Sequence, residues 1–349
     1  MILTIAAAIF VFGLLVLVHE LGHFMTAKLT GMRVDEFAIG FGPKVFSVQK
    51  GETAYSIRAI PLGGFNDIAG MDPEDNDAGD RGYCEKPVLS RMIVILAGSF
   101  MNFLLPVFLF FGIFFFAGVG TPSPEPVLGT IVAGKPAAEA GIQQGDRVLA
   151  VNGAQIASWK EFTETLAADA EADPDTPITL TLERGGETLE RSVTPTYDKQ
   201  ANRAMIGVMS SVDLRYPGVI ESAQLAVQKT GSIIYMMLYE LYKIILKLSG
   251  ADLAGPIGVA QMAGEVAEMG IVPLLNFTAF LSLNLGIINL FPIPALDGGH
   301  FAGLCIEAVM GRPVSPKMTY YAQRVGIALL LLLMIFATKN DIVRVFFGG

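Results

Sequence analysis

Histidine and cysteine are scarce in this 349-residue chain, which has three His and two Cys. Cys84 and Cys305 stand far apart in the sequence, in different segments. No disulfide and no cysteine metal site is expected from them. Charge is sparse too. Asp, Glu, Lys and Arg make up 16% of the residues, where a soluble domain averages about 25%. An excess of positive charge is missing altogether. The formal net charge is -9, so the basic surface that nucleic-acid binding requires is not there. The opening residues, MILTIAAAIF, carry no basic side chain, and the first apolar run does not end in a small-residue cleavage site. That run reads as a retained span and not as a removed signal peptide.

What the chain has in abundance is apolar surface. It is 52% hydrophobic, with a mean hydropathy of +0.53. A membrane span needs about 20 apolar residues. Four stretches meet that need, at about 2–27, 92–119, 272–293 and 320–338. The mixed segment 219–248 suits an amphipathic helix lying on the membrane or packed on the bundle. The loop between the first two spans holds Lys28, Arg33, Lys44, Lys50, Arg58, Arg81, Lys86 and Arg91. The loop between the last two holds Arg312 and Lys317, with Arg324 at its edge. By the positive-inside rule both loops are expected to be cytoplasmic and both termini external. The acidity sits elsewhere. Residues 121–200 contain 13 Asp/Glu against 6 Lys/Arg, and this segment is expected on the external side.

Two of the three histidines fall within the first span, in His19-Glu20-Leu21-Gly22-His23. Ionisable side chains in hydrocarbon are costly and usually functional. On a helix the two histidines lie at i and i+4, on one face, where both imidazoles can hold one Zn²⁺ with Glu20 beside it as general base. Catalytic zinc usually takes a third protein ligand. His300 is one candidate. Asp297 is the better one, because Pro292 and Pro294 break the helix just before it. Asp297 could equally be a helix N-cap, followed as it is by Gly298 and Gly299.

Two other stretches carry structure. EFAIGFGPKVFSV and AYSIRAIPLGGFNDIAG, within 33–70, are strand-like runs broken by Gly and Pro. They suit either a sheet dipping toward the site, whose edge could pair with an extended substrate, or an ordinary hairpin outside the membrane. Residues 127–197 read as strand, short helix, hairpin around Asn152-Gly153, helix, then two strands around Gly185-Gly186. This order resembles a PDZ domain of the permuted kind found in bacterial envelope proteases. PDZ folds bind extended peptide ends at a sheet edge; the alternative is a spacer that only restricts access.

HELGH in a first span, a central PDZ-like insert and NLFPIPALDGGH in a later span together resemble the site-2 protease family, closest to its bacterial regulator-of-sigma-E branch. GFGP at 40–43, PLGGF at 61–65, AGSFMNF at 97–103 and GPIGVA at 255–260 extend the likeness along the chain. The resemblance implies that His19, His23 and Asp297 ligate Zn²⁺ and that Glu20 activates water. It implies substrate contacts from Asn284, Asn289, Gly63, Gly64 and Asn102, and a membrane re-entrant β-element at 40–70. There are two departures. The best-known members carry two tandem PDZ domains and this chain has room for one. Ser99 stands where relatives usually have Pro.

The fold expected is therefore a polytopic α-helical membrane protein of about four transmembrane helices. It has a membrane-associated β-element after the first helix and an inserted α/β PDZ-like domain. Residues 1–120 form the first membrane part, with the β-element at 33–70. Residues 121–200 form the insert, 201–268 a linker with amphipathic helices, and 269–349 the second membrane part. The expected function is intramembrane zinc endopeptidase of the bacterial inner membrane, acting on transmembrane protein substrates, either anti-sigma factors or signal-peptide remnants. The alternative is an inactive membrane scaffold that recruits envelope proteins through its PDZ-like domain.

Overall fold

The computed structural model describes residues 2–71, 79–172, 176–198, 203–247 and 255–347. They form two compact units, Met1–Ala117 with Gly218–Gly349, and Gly118–Pro217.

The first unit opens with helix α1, Ile2–Leu29. No proline interrupts it, and its termination is local. Gly31 takes a φ of 73°, its N–H meets the Lys28 carbonyl, and Met32 N–H meets that of Ala27. This is a Schellman motif, which the left-handed tolerance of glycine permits. Strands β1 (Val34–Lys50) and β2 (Thr53–Ile68) follow. Both bend. Residues 36–39 pair with 64–67 on one flank and with 54–57 on the other, while 46–50 pair with 53–57. Four ribs thus lie side by side, in the order 64–68, 34–39, 53–57, 44–50. The bend of β1 falls at Gly40 and Gly42, both at positive φ, and that of β2 near Pro61 and Gly63. A Cβ on Gly40 would lie 2.6 Å from the Ile60 carbonyl oxygen. The Gly and Pro residues therefore fold the strands over without ending them.

Charges tie the ribs together. Glu36 sits 2.9 Å from Lys44 Nζ and 2.9 Å from Arg58 Nη2 and accepts a bond from Ser56 Oγ. Burial works against its ionisation. The bonds from Ser56, Lys44 and Arg58 outweigh it and hold the Glu36 carboxyl down to about 2. At the turn, Glu52 meets Lys28 Nζ at 2.5 Å and Arg81 Nη1 at 2.6 Å, which ties the hairpin back to the end of α1. Helix α2, Val88–Gly112, carries Pro106 inside it and runs into a π-helical turn, Ile113–Ala117.

The second unit is the insert. It runs β3 (Val119–Pro122), β4 (Leu128–Ile131), α3 (Pro136–Glu139), β5 (Arg147–Val151), β6 (Ala154–Gln155), α4 (Trp159–Ala172), β7 (Ile178–Arg184), β8 (Glu187–Val193), β9 (Thr196–Asp198), β10 (Arg203–Met205), β11 (Val208–Ser210) and β12 (Val212–Arg215). A four-stranded sheet of order β6-β5-β7-β8 packs with α4. Phe162, Leu180 and Leu182 are fully buried in its core. Asp146 is also fully buried and is bound by Arg184 at 2.6 Å. The insert is longer than the 121–200 expected from sequence, and 203–217 belongs to it and not to a linker. β11 pairs with β4 and β12 with β3, while Ile206, 1% exposed, joins the same core as Leu128 and Val148. The two ends of the insert zip together, which no local pattern signals. The expected boundary at 200 itself, and 248–254 of the expected linker, lie outside the described residues.

The chain returns through α5 (Val219–Lys247), α6 (Pro256–Glu268), α7 (Ile271–Asn289), α8 (Asp297–Met310) and α9 (Pro316–Phe347). α5, the amphipathic segment, packs Ala226 and Ile233 against Phe110 and Ile113. The N-terminus of α6 is capped from α9: Asp341 accepts from Gly255 N–H at 3.0 Å and Gly258 N–H at 2.8 Å. Among the described residues, four helices are long and apolar enough to cross a membrane, within Ile2–Leu29, Val88–Ala117, Ile271–Asn289 and Lys317–Asp341.

Candidate metal centre

α1 and α2 cross at glycines. A Cβ on Gly22 would collide with the Ala97 carbonyl, and one on Gly98 would collide with His23 Nε2 and lie 2.7 Å from His19 Cε1. Only small residues allow such an approach. The crossing brings His19 and His23 against α2, and α8 closes the third side. Its first residue, Asp297, is delivered by the broken stretch after α7. The seven residues Leu290–Leu296 fold back, with Ala295 at φ 82°. Gly298 and Gly299 pack on the carbonyls of Leu290, Phe291 and Ile293 so closely that neither could carry a side chain. The helix cap is Leu296, with no side-chain bond. Asp297 is therefore not the N-cap, and its carboxylate is available.

His19 Nε2 and His23 Nε2 lie 3.2 Å apart. Asp297 Oδ2 lies 3.4 Å from the first and 3.5 Å from the second. A tetrahedral zinc ion with bonds of about 2.0–2.1 Å separates its ligand atoms by about 3.3 Å. The three donors thus already form a triangle of the right size. Among the described residues this is the group of His, Cys, Asp and Glu able to hold a metal ion.

The outer faces of the imidazoles are held as well. His23 Nδ1 donates to the Val94 carbonyl at 2.8 Å, which leaves the lone pair on Nε2, facing the cluster. His19 Nδ1 lies 3.1 Å from the Asn102 side-chain nitrogen, and Asn102 Oδ1 is buried without a partner among the described residues. Turning that amide over gives Oδ1 a partner in the imidazole. Oδ1 then accepts from Nδ1–H, and His19 too presents a bare Nε2. This orientation suits an imidazole that binds metal. Ser282 Oγ donates to the Asn102 carbonyl at 2.7 Å, and Ser99 Oγ reaches Asp297 Oδ2 at 3.4 Å. Arg91 joins α2 to α8 through Glu307, with contacts of 2.5 and 3.1 Å.

Glu20 lies on the same helix, turned toward the sheet. Asn66 Nδ2 on β2 donates to Glu20 Oε2 at 2.7 Å and to the Glu20 carbonyl at 2.8 Å. A Cβ on Gly64 would sit 3.2 Å from Glu20 Cγ, so the rib 64–68 runs directly beside the glutamate. Gly63 has a φ of 112°, and a side chain there would overlap the Phe41 ring.

The other expected residues fall variously. Asn102 was expected to contact substrate, but it is 0% exposed and turned to His19; its place is behind the histidine. Asn284 is exposed and Asn289 half-buried, both on α7, with no side-chain bond recorded among the described residues. His300, the rival third ligand, lies outside the cluster and meets Gln323 Nε2 at 3.3 Å. Sequence reasoning missed Asn66, whose signal was an amide inside a strand-like run. It also missed the Val94 carbonyl, which has no signal in side-chain identity.

The profile of Peptidase family M50 matches residues 7–333. The chain is 34% identical to the regulator of sigma-W protease RasP of Bacillus subtilis, over 98% of this chain and 99% of that one. It is 34% identical to a putative zinc metalloprotease of Clostridium acetobutylicum, over 97% of each. The first alignment runs over 423 positions and the second over 340. A PDZ domain of an SdrC-like protein from Listeria innocua overlaps 28% of the chain at 17% identity and a TM-score of 0.21, too low to fix a fold. With the motif match spanning nearly its whole length, the chain belongs to peptidase family M50, the site-2 proteases, and is a zinc metalloprotease.

Proposed function

We propose that this metalloprotease cuts the transmembrane segments of single-span membrane proteins, within the bilayer. The observation that carries the reading is a zinc-sized His19, His23 and Asp297 triangle, with both histidines and Glu20 on a helix apolar enough to cross a membrane. In this reading His19, His23 and Asp297 hold zinc. Zinc, when bound, polarises a scissile carbonyl and lowers the pKa of a water toward about 7. Glu20 takes the proton of the attacking water and passes it to the leaving amine. A peptide bond in a membrane helix is shielded by its own hydrogen bonds, so the substrate must unwind. The rib 64–68 is the outermost of the four and lies beside Glu20, where an added strand would replace the lost bonds. Gly63 and Gly64 would meet substrate at the start of that rib, and Asn284 and Asn289 would extend the substrate surface on α7.

The distribution of Lys and Arg favours a site toward the cytoplasmic face of a bacterial inner membrane, with the insert on the outer side. The insert's helix and four-stranded sheet suit a single PDZ-like domain that binds extended peptide ends. The test is cleavage of a model single-span substrate by detergent-purified wild type and Glu20→Gln, with zinc content measured on both. The variant should keep about one zinc per chain and lose cleavage. Proteolysis by Glu20→Gln overturns the reading.

A further inference from the structure

The amide of Asn66 spends itself on one residue. Its nitrogen donates twice, to the Glu20 carboxylate at 2.7 Å and to the Glu20 main-chain carbonyl at 2.8 Å. The second contact fixes which end of the amide faces the glutamate. A main-chain carbonyl can only accept, so the nitrogen must point there whatever the state of the carboxylate. The other end, Oδ1, is buried and has no partner among the described residues. An amide retained only for the fold would be expected to satisfy both ends, since an unmet buried acceptor is destabilising. This one leaves its acceptor unmet in order to hold Glu20.

The surroundings are built for that reach. Gly64 and Asn66 are two apart on a strand and so share a face. The missing Cβ of Gly64 lets this rib approach Glu20 Cγ and Val16 of α1. Asn66, next along the same face, then spans to the carboxylate. One oxygen of Glu20 is tethered, and the other has no hydrogen bond among the described residues. The tether comes from the very rib whose outer edge is the proposed landing place for substrate.

We propose that Asn66 is a positioning residue: it aims Glu20 at the reacting water and couples the aim of the base to the placement of the β2 edge strand. The inference rests on Glu20 acting as general base, and the experiment separates the two. Asn66→Leu has similar volume and cannot donate. Asn66→Asp keeps the shape and sets a carboxylate against Glu20. Each is compared with wild type and Glu20→Gln for kcat, KM and zinc content on a single-span substrate. The Glu20 carboxylate band is read separately, in metal-free protein, by infrared difference against the same background carrying Glu20→Gln.

Expected is a loss in kcat of roughly 10- to 100-fold for Asn66→Leu, the size typical of groups that orient a site residue. KM and zinc content should stay unchanged and the Glu20 band should move. Asn66→Asp should lose at least as much. Wild-type kcat with an unmoved band in Asn66→Leu overturns the proposal. Should Asn66→Leu lose zinc or fail to fold, wild-type kcat in Asn66→Asp overturns it equally. Cleavage by Glu20→Gln would instead remove the general-base reading on which the proposal stands.

Discussion

Gly98→Ala tests the metal centre without touching any ligand. The new methyl carbon would lie 2.6 Å from His23 Cε1 and 2.7 Å from His19 Cε1, with Nε2 of His23 closer still. Ordinary carbon contacts begin at about 3.4 Å, so even the His19 ring must retreat by roughly 0.7 Å. A metal site tolerates ligand errors of about 0.2 Å. The displacement therefore exceeds the tolerance several-fold, and neither ring can turn aside cheaply, because Val94 and Asn102 hold the far sides. Over-packing of this kind costs about 1–3 kcal/mol. Spent on the site, that is a loss of roughly 5- to 150-fold in zinc affinity. The assay is zinc competition against a chromophoric chelator in detergent. Gly112→Ala on the same helix is the control: nothing lies within 4 Å of its Cβ, so Ala should be neutral or stabilise by up to about 1 kcal/mol. Wild-type zinc affinity in Gly98→Ala, with Gly112→Ala also unchanged, would refute the assignment of His19 and His23 to the metal.

Three other outcomes are expected. Asn102→Leu should weaken zinc about tenfold by releasing His19 Nδ1, with protein yield and helicity retained, since it removes an outer support and no ligand. His300→Ala should bind zinc like wild type, whereas Asp297→Ala should lose it; full zinc in Asp297→Ala would move the third ligand elsewhere, His300 first. In the insert, burial works against ionisation of Asp146, but hydrogen bonds from Arg184 and the Gln143 N–H outweigh it and leave its carboxyl below the ordinary range. Its stabilisation is therefore full above the unfolded value of about 4 and fades as pH falls through the lowered folded value. Amide exchange in 118–217 should quicken below that pH, and Asp146→Asn should cost the insert about 2 kcal/mol at pH 7.

The features legible in the sequence are those fixed by near neighbours. An i, i+4 pair of histidines faces one way on any helix, so the HELGH grip needed no tertiary information. The turns around Asn152-Gly153 and Gly185-Gly186 join β5 to β6 and β7 to β8, as their left-handed residues require. Pro292 and Pro294 marked the end of α7 because they cannot continue a helix. Composition likewise set the number of apolar helices. The misjudged parts are all long-range. The insert runs on to Pro217 because β11 and β12 pair with strands some eighty to ninety residues earlier. Asn102 turned out to stand behind His19, a matter of which face of α2 meets α1.

Sequence alone thus placed two histidines on one face of an apolar helix and an α/β unit after the second apolar helix. Those properties follow from local spacing and from side-chain chemistry. Only the tertiary structure brings Asp297, and not His300, beside the two histidines, since the loop after α7 must fold back and pack on Gly298 and Gly299 before either can approach them. It alone bent two strands into four ribs and set Asn66 against Glu20. A contact between residues forty-six apart depends on how closely a strand can approach a helix, and a Cβ at Gly64 would crowd both Glu20 of that helix and the Ala38 carbonyl of the paired rib.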